Sequence, residues 1–165
     1  MEPKVSIVIP TIEEEAVFGL IDSIRRRIKD PEIIIVDKSS KEYEERLRST
    51  GATVIRQHDR GVEKAVLLGL QHAHGDILAS IDADGTHDIE GIFKGIKLIE
   101  SGKADLVLGN RLSHIKKDAM SSYIKFGNSV ISNVFNKLYN TNIHDFLVGL
   151  FVMRRSAYES VKDVE

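Results

Sequence analysis

The chain has 165 residues, 42% hydrophobic and 29% charged, which is the balance of an ordinary globular protein and enough for one buried core. Its formal charge of −2 gives no general attraction to nucleic acid, and no nucleic-acid partner is expected. The lack of cysteine excludes disulfides, thiolate nucleophiles and Cys-ligated zinc.

The opening "MEPKVSIVIPTIEEE" ends its short apolar run at Pro10 and a row of acids, unlike a signal peptide. No apolar run approaches the ~18–20 residues that span a bilayer. The first expected strand is Val5 to Ile9, followed by a helix with Val17, Leu20, Ile21, Ile24 and Ile28 on one face. Glu32 to Val36 and Thr53 to Arg56 read as the second and third strands, with a Ser39-x-x-Glu42 capping-box pattern between them. A helix over Gly61 to Ala73, with Val66, Leu70 and Ala73 inward, leads to a fourth strand at Ile77 to Ile81.

Ile89, Ile92, Phe93, Ile96 and Ile99 mark the next helix, and Asp105 to Gly109 the fifth strand. A longer helix is expected after Ser121, carrying Ile124, Ile131, Val134 and Leu138, before a sixth strand at Leu150 to Arg154 and a Ser156-x-x-Glu159 capping pattern. The strands are short and almost wholly apolar, as strands covered on both faces should be. Strand and helix in alternation predict an α/β fold, a mostly parallel sheet with helices on both sides.

Open sheets of this kind bind ligands beyond the carboxyl ends of their strands. Thr11 to Glu14 follow the first strand, Asp37 ends the second, and Asp82 and Asp84 end the fourth, so acids from three segments converge on one edge. Residues two apart in extended chain share a side, and Asp82 and Asp84 can face one object. Two like charges that close require compensation, and an all-oxygen pair suits Mg²⁺ or Mn²⁺, which fill their remaining positions with water and substrate phosphates. The expected object is a metal-bound diphosphate. A calcium loop fails on spacing, because Gly85 stands fourth from Asp82 and Phe93 twelfth.

Plainer roles stand beside these. Asp84, Thr86 or Asp88 can cap the helix beginning near Ile89, Thr11-x-x-Glu14 matches a capping box, and Lys38 can pair with Asp37. Arg111, in "GNRL" after the fifth strand, suits a bidentate grip on phosphate or a surface salt bridge. The "HIKKD" run and Lys125 form a basic stretch that can face an anionic substrate or membrane surface, while Arg25 to Arg27 read as solvated. The six histidines have no HExxH spacing, and there is no P-loop, GxGxxG or G-x-S-x-G.

Several ordered blocks resemble family 2 glycosyltransferases of the GT-A fold, and within them the dolichyl-phosphate mannose synthase branch. "VSIVIPTIEEE" is similar to the opening strand and P-T-Y-N-E motif through Pro10, Thr11 and Glu14, with Ile12 and Glu13 in place of Tyr and Asn. "IIIVDKSS" resembles V-D-D-G-S, keeping Asp37 and substituting Lys38 and Ser39. "DRGVEKAVLLGLQHAHGDILASIDADGTH" resembles the stretch running into D-A-D-L-Q-H, "ADLVLGNR" resembles A-D-L-V-x-G-S-R, and "HDFLVGLFVMRRSA" keeps Asp145 and Gly149 of D-x-x-x-G-F. Thr86 and Phe151 depart from the usual glutamine and basic residue.

The resemblance implies a Rossmann-like three-layer sandwich, one domain over residues 1–165 shortened at its C-terminus. It implies an inverting hexosyltransferase moving mannose or glucose from GDP-mannose or UDP-glucose to a polyprenyl (dolichyl) phosphate, in the cytoplasm or at the cytoplasmic membrane face, with a membrane-anchoring partner. Pro10, Thr11, Glu14 and Asp37 would hold the nucleoside, Asp82 and Asp84 the Mg²⁺ or Mn²⁺ and diphosphate, Arg111 phosphate, and Lys125 the acceptor phosphate. Asp84, Arg111 and Asp145 would carry the catalysis, Asp145 as base should the acceptor be a hydroxyl. A nucleotidyltransferase and a non-catalytic nucleotide-sugar binding module remain the alternatives.

Overall fold

The computed structural model describes residues 3–85, 88–109 and 149–162. Its strands are β1 (Val5–Thr11), β2 (Glu32–Asp37), β3 (Thr53–Arg56), β4 (Ile77–Ile81), β5 (Leu106–Leu108) and β6 (Leu150–Arg154). Between them run α1 (Ala16–Arg27), α2 (Lys41–Ser49), α3 (Val62–His72) and α4 (Glu90–Glu100), and α5 (Arg155–Val161) follows β6. The helix expected after Ser121 lies outside the described residues. No described helix is long and apolar enough to cross a membrane.

The six strands form one sheet in the order β3-β2-β1-β4-β6-β5. β1 pairs parallel with β2 and β4, and β2 pairs parallel with β3, whereas β6 is antiparallel to both β4 and β5. The expected mostly parallel sheet is therefore present, with one reversed strand inserted before its edge.

Alternation along the strands supplies two cores. Ile7, Ile9, Ile33, Ile35 and Ile81 pack with Val17, Ile21 and Ile24 of α1, Tyr43 and Leu47 of α2, and Ile92, Ile96 and Ile99 of α4. Val8, Ile34, Val36 and Leu78 face the other way, onto Ala65 and Leu70 of α3 and Tyr158 of α5. Three layers result. Each fully buried aliphatic side chain contributes about 1.5–3 kcal/mol relative to exposure, and Ile7, Ile9, Ile34, Ile35 and Leu78 are all in that class.

The helix starts differ from the capping boxes expected. α1 is preceded by Glu15, with no side-chain cap from Thr11. The cap of α2 is Ser40, whose hydroxyl accepts from Tyr43 N, because the Ser39 hydroxyl is taken by Asp37. Ser156 lies inside α5, and Glu159 pairs with Lys162. Asp88 does serve a helix start, its carboxylate accepting from Glu90 N at 3.0 Å. The three arginines are surface groups with partners: Arg25 donates to Thr50 O, Arg26 to Ser23, and Arg27 pairs with Glu90 while lying over Phe93.

Two close approaches fix the layers at the amino edge and on the α3 face. The Ser6 hydroxyl donates to Glu32 and accepts from Gly75 N, while Glu32 also accepts from His74 N and faces its Nδ1. Partial burial alone would raise the Glu32 carboxyl, but these hydrogen bonds outweigh it and hold the pKa below the ordinary 4.5. Gly69 of α3 lies so near β1 that an added Cβ would overlap Val8.

Gly69→Ala should therefore cost about 1–3 kcal/mol through overpacking, read as a lowered urea midpoint. Because the folded Glu32 pKa is depressed, its network adds stability above pH 4.5 that is lost as pH falls through the folded value. Glu32→Gln should lower the midpoint at pH 7 and flatten the acid limb of the stability curve. Identical acid limbs in the two proteins would contradict this assignment.

Candidate active site

Parallel register finishes the strands level: Thr11 stands opposite Asp37, and Asp37 opposite Arg56. Past these ends lies a cleft of about 470 Å³. Pro10, Thr11 and Glu14 reach it from the end of β1, Lys38 from the end of β2, and Asp82 and Asp84 from the end of β4. The convergence expected from the sequence is thus present for Pro10, Thr11, Glu14, Asp82 and Asp84. A larger groove of about 1000 Å³ lies at the opposite edge, where Val5, Ile77 and Phe93 are mixed with charged residues such as Arg27, Lys97 and Arg154. None of Glu14, Asp37, Asp82 and Asp84 reaches it.

The paired aspartates reach the cleft from the turn that follows β4, rather than from the extended chain expected. Ala83 between them is buried at 3% exposure and lines the cleft with both of them. Gly85, at φ +72°, then turns the chain with a backbone that side chains other than glycine rarely adopt. The Asp82 amide donates to Gly149 O at 3.1 Å, tying this turn to the start of β6. Among the described residues no group of three or more His, Asp or Glu side chains gathers as metal ligands. Two carboxylates alone fit an ion that takes one or two protein oxygens and completes its shell with water and phosphate.

Asp37 has a different setting from the one expected. Its side chain is fully buried and does not line the cleft. It accepts from Ser39 N at 3.1 Å and Ser39 Oγ at 2.5 Å, and its ionic partner is Arg56 at 3.3 Å. Lys38, the partner suggested by sequence, instead donates to the carbonyls of Asp59 and His58.

The loop bearing Glu14 is held from the same direction. Glu13, in a left-handed conformation at φ +52°, donates its amide to Ser39 Oγ at 2.7 Å, and its carboxylate accepts from Ser40 N. Tyr43 donates to Glu14 O at 2.6 Å. Burial pushes the Tyr43 hydroxyl above its ordinary pKa, keeping it a donor. Arg46 grips Glu15 through two bonds of 2.7 Å, and this hydrogen bonding lowers the Glu15 carboxyl.

The sequence did not single out Gln57, Arg60 or Val62, which line the cleft beyond β3, or give Lys38 and Ile12 a place on its wall. Position was the available signal, since Gln57 and Arg60 are among the first residues past a strand's carboxyl end. Ile12 and Val62 are aliphatic yet 62% and 57% exposed, giving the cleft apolar patches beside its charges. Arg111, Lys125 and Asp145 lie outside the described residues, as do Thr86 and His87.

The strand ends and acids lie within a stretch, residues 6–162, that matches the glycosyl transferase family 2 model. The chain belongs to glycosyl transferase family 2. It is 30% identical to the low-salt glycan biosynthesis hexosyltransferase Agl6 of Haloferax volcanii, covering 96% of this chain and 40% of that protein. It is 29% identical to the dolichol-phosphate mannosyltransferase of Pyrococcus furiosus, covering 96% of this chain and 48% of that one. The chain thus spans about half the length of these relatives.

Among solved structures, glucosyl-3-phosphoglycerate synthase of Mycobacterium tuberculosis, in complex with Mn²⁺, uridine diphosphate and phosphoglyceric acid, superposes with a TM-score of 0.70 at 20% identity. That match covers 94% of this chain and 57% of the synthase. The likeness extends to the fold, and the family 2 chain has the GT-A architecture its motifs imply.

Removing the cation beside the buried carboxylate gives a direct test of the Asp37 setting. Arg56→Met should cost about 1–3 kcal/mol, the scale of a hydrogen bond to a charged group, measured by urea denaturation at pH 7. An unchanged midpoint would show that Ser39 alone holds Asp37.

Proposed function

We propose that this chain is the donor-binding and catalytic part of a metal-dependent inverting glycosyltransferase that moves a hexose from a nucleotide diphosphate to a polyprenyl phosphate. One observation carries the reading: in a family 2 chain, Asp82 and Asp84 share a cleft with Glu14 and Arg60 at the carboxyl edge of the sheet. The sizes and charges suit a nucleoside diphosphate, whose phosphates need cations and whose base needs partly apolar walls.

Asp82 and Asp84 would hold Mg²⁺ or Mn²⁺, which when bound supplies positive charge for the departing diphosphate. The Mn²⁺ and uridine diphosphate bound by the mycobacterial synthase support this choice of ligand class. Pro10, Thr11 and Glu14 would orient the nucleoside from the β1 loop. Asp37 would act from beneath, fixing Ser39 and through it the Glu13 amide. Arg111 would neutralise donor phosphate, and Lys125 the acceptor phosphate; these two roles rest on the family resemblance.

In the reaction, an acceptor phosphate oxygen attacks the anomeric carbon as the bond to the donor diphosphate breaks, with inversion. That nucleophile is already anionic, so no strong base is required. Asp145 would take a proton only from a hydroxyl acceptor. The named activity of the Pyrococcus relative supports a dolichol-phosphate acceptor with mannose as the sugar, and such an acceptor would place the reaction at a membrane face, at the cytoplasmic side where nucleotide sugars are supplied. A membrane-anchoring partner would then hold the domain against that surface.

Titration of GDP-mannose and UDP-glucose into the protein, with Mn²⁺ and again with EDTA, tests the donor site. Metal-dependent binding that weakens at least tenfold in Asp84→Ala, about 1.4 kcal/mol, is expected. Sugar transfer to a polyprenyl phosphate should then release the nucleoside diphosphate. Release of pyrophosphate would indicate a nucleotidyltransferase, and binding without turnover a nucleotide-sugar binding module.

A further inference from the structure

Lys38 leaves the end of β2 and lines the cleft, yet its ammonium is spent on another loop. Nζ donates to Asp59 O at 2.7 Å and approaches His58 O at 3.4 Å. Those carbonyls lie beyond β3, which ends at Arg56, and before α3, which starts at Val62. The loop is otherwise tied at its two ends, where Gln57 N donates to Asp37 O at 2.8 Å and Gln57 Nε2 to Gly61 O at 2.8 Å, and in its middle by an exposed ion pair of Lys64 with Asp59 at 3.4 Å, of the kind that contributes little. His58, Asp59 and Arg60 between them are exposed.

The position of the contact gives it a consequence for the cleft. Arg60, Gly61 and Val62 form part of the wall shared with Asp82 and Asp84, and Gly61, directly after Arg60, has a φ of +111° that favours glycine. A loop with an exposed middle can open locally at low cost. An ammonium holding two successive carbonyls in its middle opposes that opening with charge-assisted hydrogen bonds.

We propose that Lys38 is a positioning residue, a latch that holds the 57–61 loop against the end of β2 and so sets the wall against which the donor binds. The proposal rests on the reading of this cleft as a nucleotide-diphosphate donor site. Lys38 acts through Arg60, Gly61 and Val62, and the effect on donor is indirect.

The test compares wild type, Lys38→Met and Lys38→Arg in the full chain. Without ligand, the rate of tryptic cleavage after Arg60 should rise about tenfold in Lys38→Met, the scale of one charge-assisted hydrogen bond, and stay near wild type in Lys38→Arg. The global urea midpoint should be unchanged. With Mn²⁺ present, the affinity for whichever of GDP-mannose and UDP-glucose binds wild type should fall about tenfold in Lys38→Met and recover in Lys38→Arg.

Unchanged cleavage in Lys38→Met would overturn the latch, and a loss of affinity without faster cleavage would make Lys38 a direct donor contact instead. Faster cleavage with unchanged affinity would overturn the positioning role. So would a fall in the global midpoint that accounts for the cleavage, or failure of Lys38→Arg to restore either property. If wild type binds neither donor while cleavage still responds to Lys38, the donor reading of the cleft fails and the positioning role with it, whereas the latch itself stands.

Discussion

The burial of β1 on both faces governs the rest of the molecule. It lies between β2 and β4, with Ile7 and Ile9 in one core and Val8 in the other, all at 0% exposure. A strand so enclosed has no room for a functional polar side chain along most of its length. Chemistry is displaced to its carboxyl end, where Pro10 and Thr11 lead out of the sheet. The same constraint acts on β4, whose five residues are all buried, and it delivers Asp82 and Asp84 immediately afterwards.

That displacement separates two kinds of carboxylate at one edge. Asp82 and Asp84 stand in the cleft, and Asp37 is enclosed beneath it with Ser39 and Arg56. A buried carboxylate is tolerable only with such partners. Asp37 also organises its surroundings, since the serine it fixes receives the Glu13 amide and its own carbonyl receives Gln57 N. Loops following β1, β2 and β3 are thereby connected through short polar links, with few apolar contacts of their own.

The sequence disclosed what depends on apolar periodicity. Thr53–Arg56, Ile77–Ile81 and Leu150–Arg154 are strands over the ranges their apolar runs suggested, and the faces of α1 and α4 were legible from isoleucines spaced at three and four. Of α2 only the start was signalled, by the Ser39-x-x-Glu42 pattern one residue off its true cap, because only Tyr43 and Leu47 of its residues are buried, too few to mark a face among charges. The reversal of β6 was hidden too, since an apolar run carries no direction. Capping patterns misled where tertiary demand outbid local geometry, as when Asp37 claimed the Ser39 hydroxyl. Asp82 and Asp84 were legible from their place directly after β4, although a turn rather than extended chain carries them, whereas Lys38 and Arg60 look like ordinary surface residues until the loops are placed.

The reversed β6 also bears on how the chain can be assembled. It occupies the place between β4 and β5, and among the described residues β5 pairs with no other strand. During synthesis, β1 to β4 can therefore dock with their helices while Leu106–Leu108 waits for a partner some forty residues downstream. Pairing across such a separation is slow and leaves apolar strand edges uncovered in the interval. Leu106 and Leu108, 51% and 41% exposed among the described residues, make that waiting strand a vulnerable point for association between nascent chains.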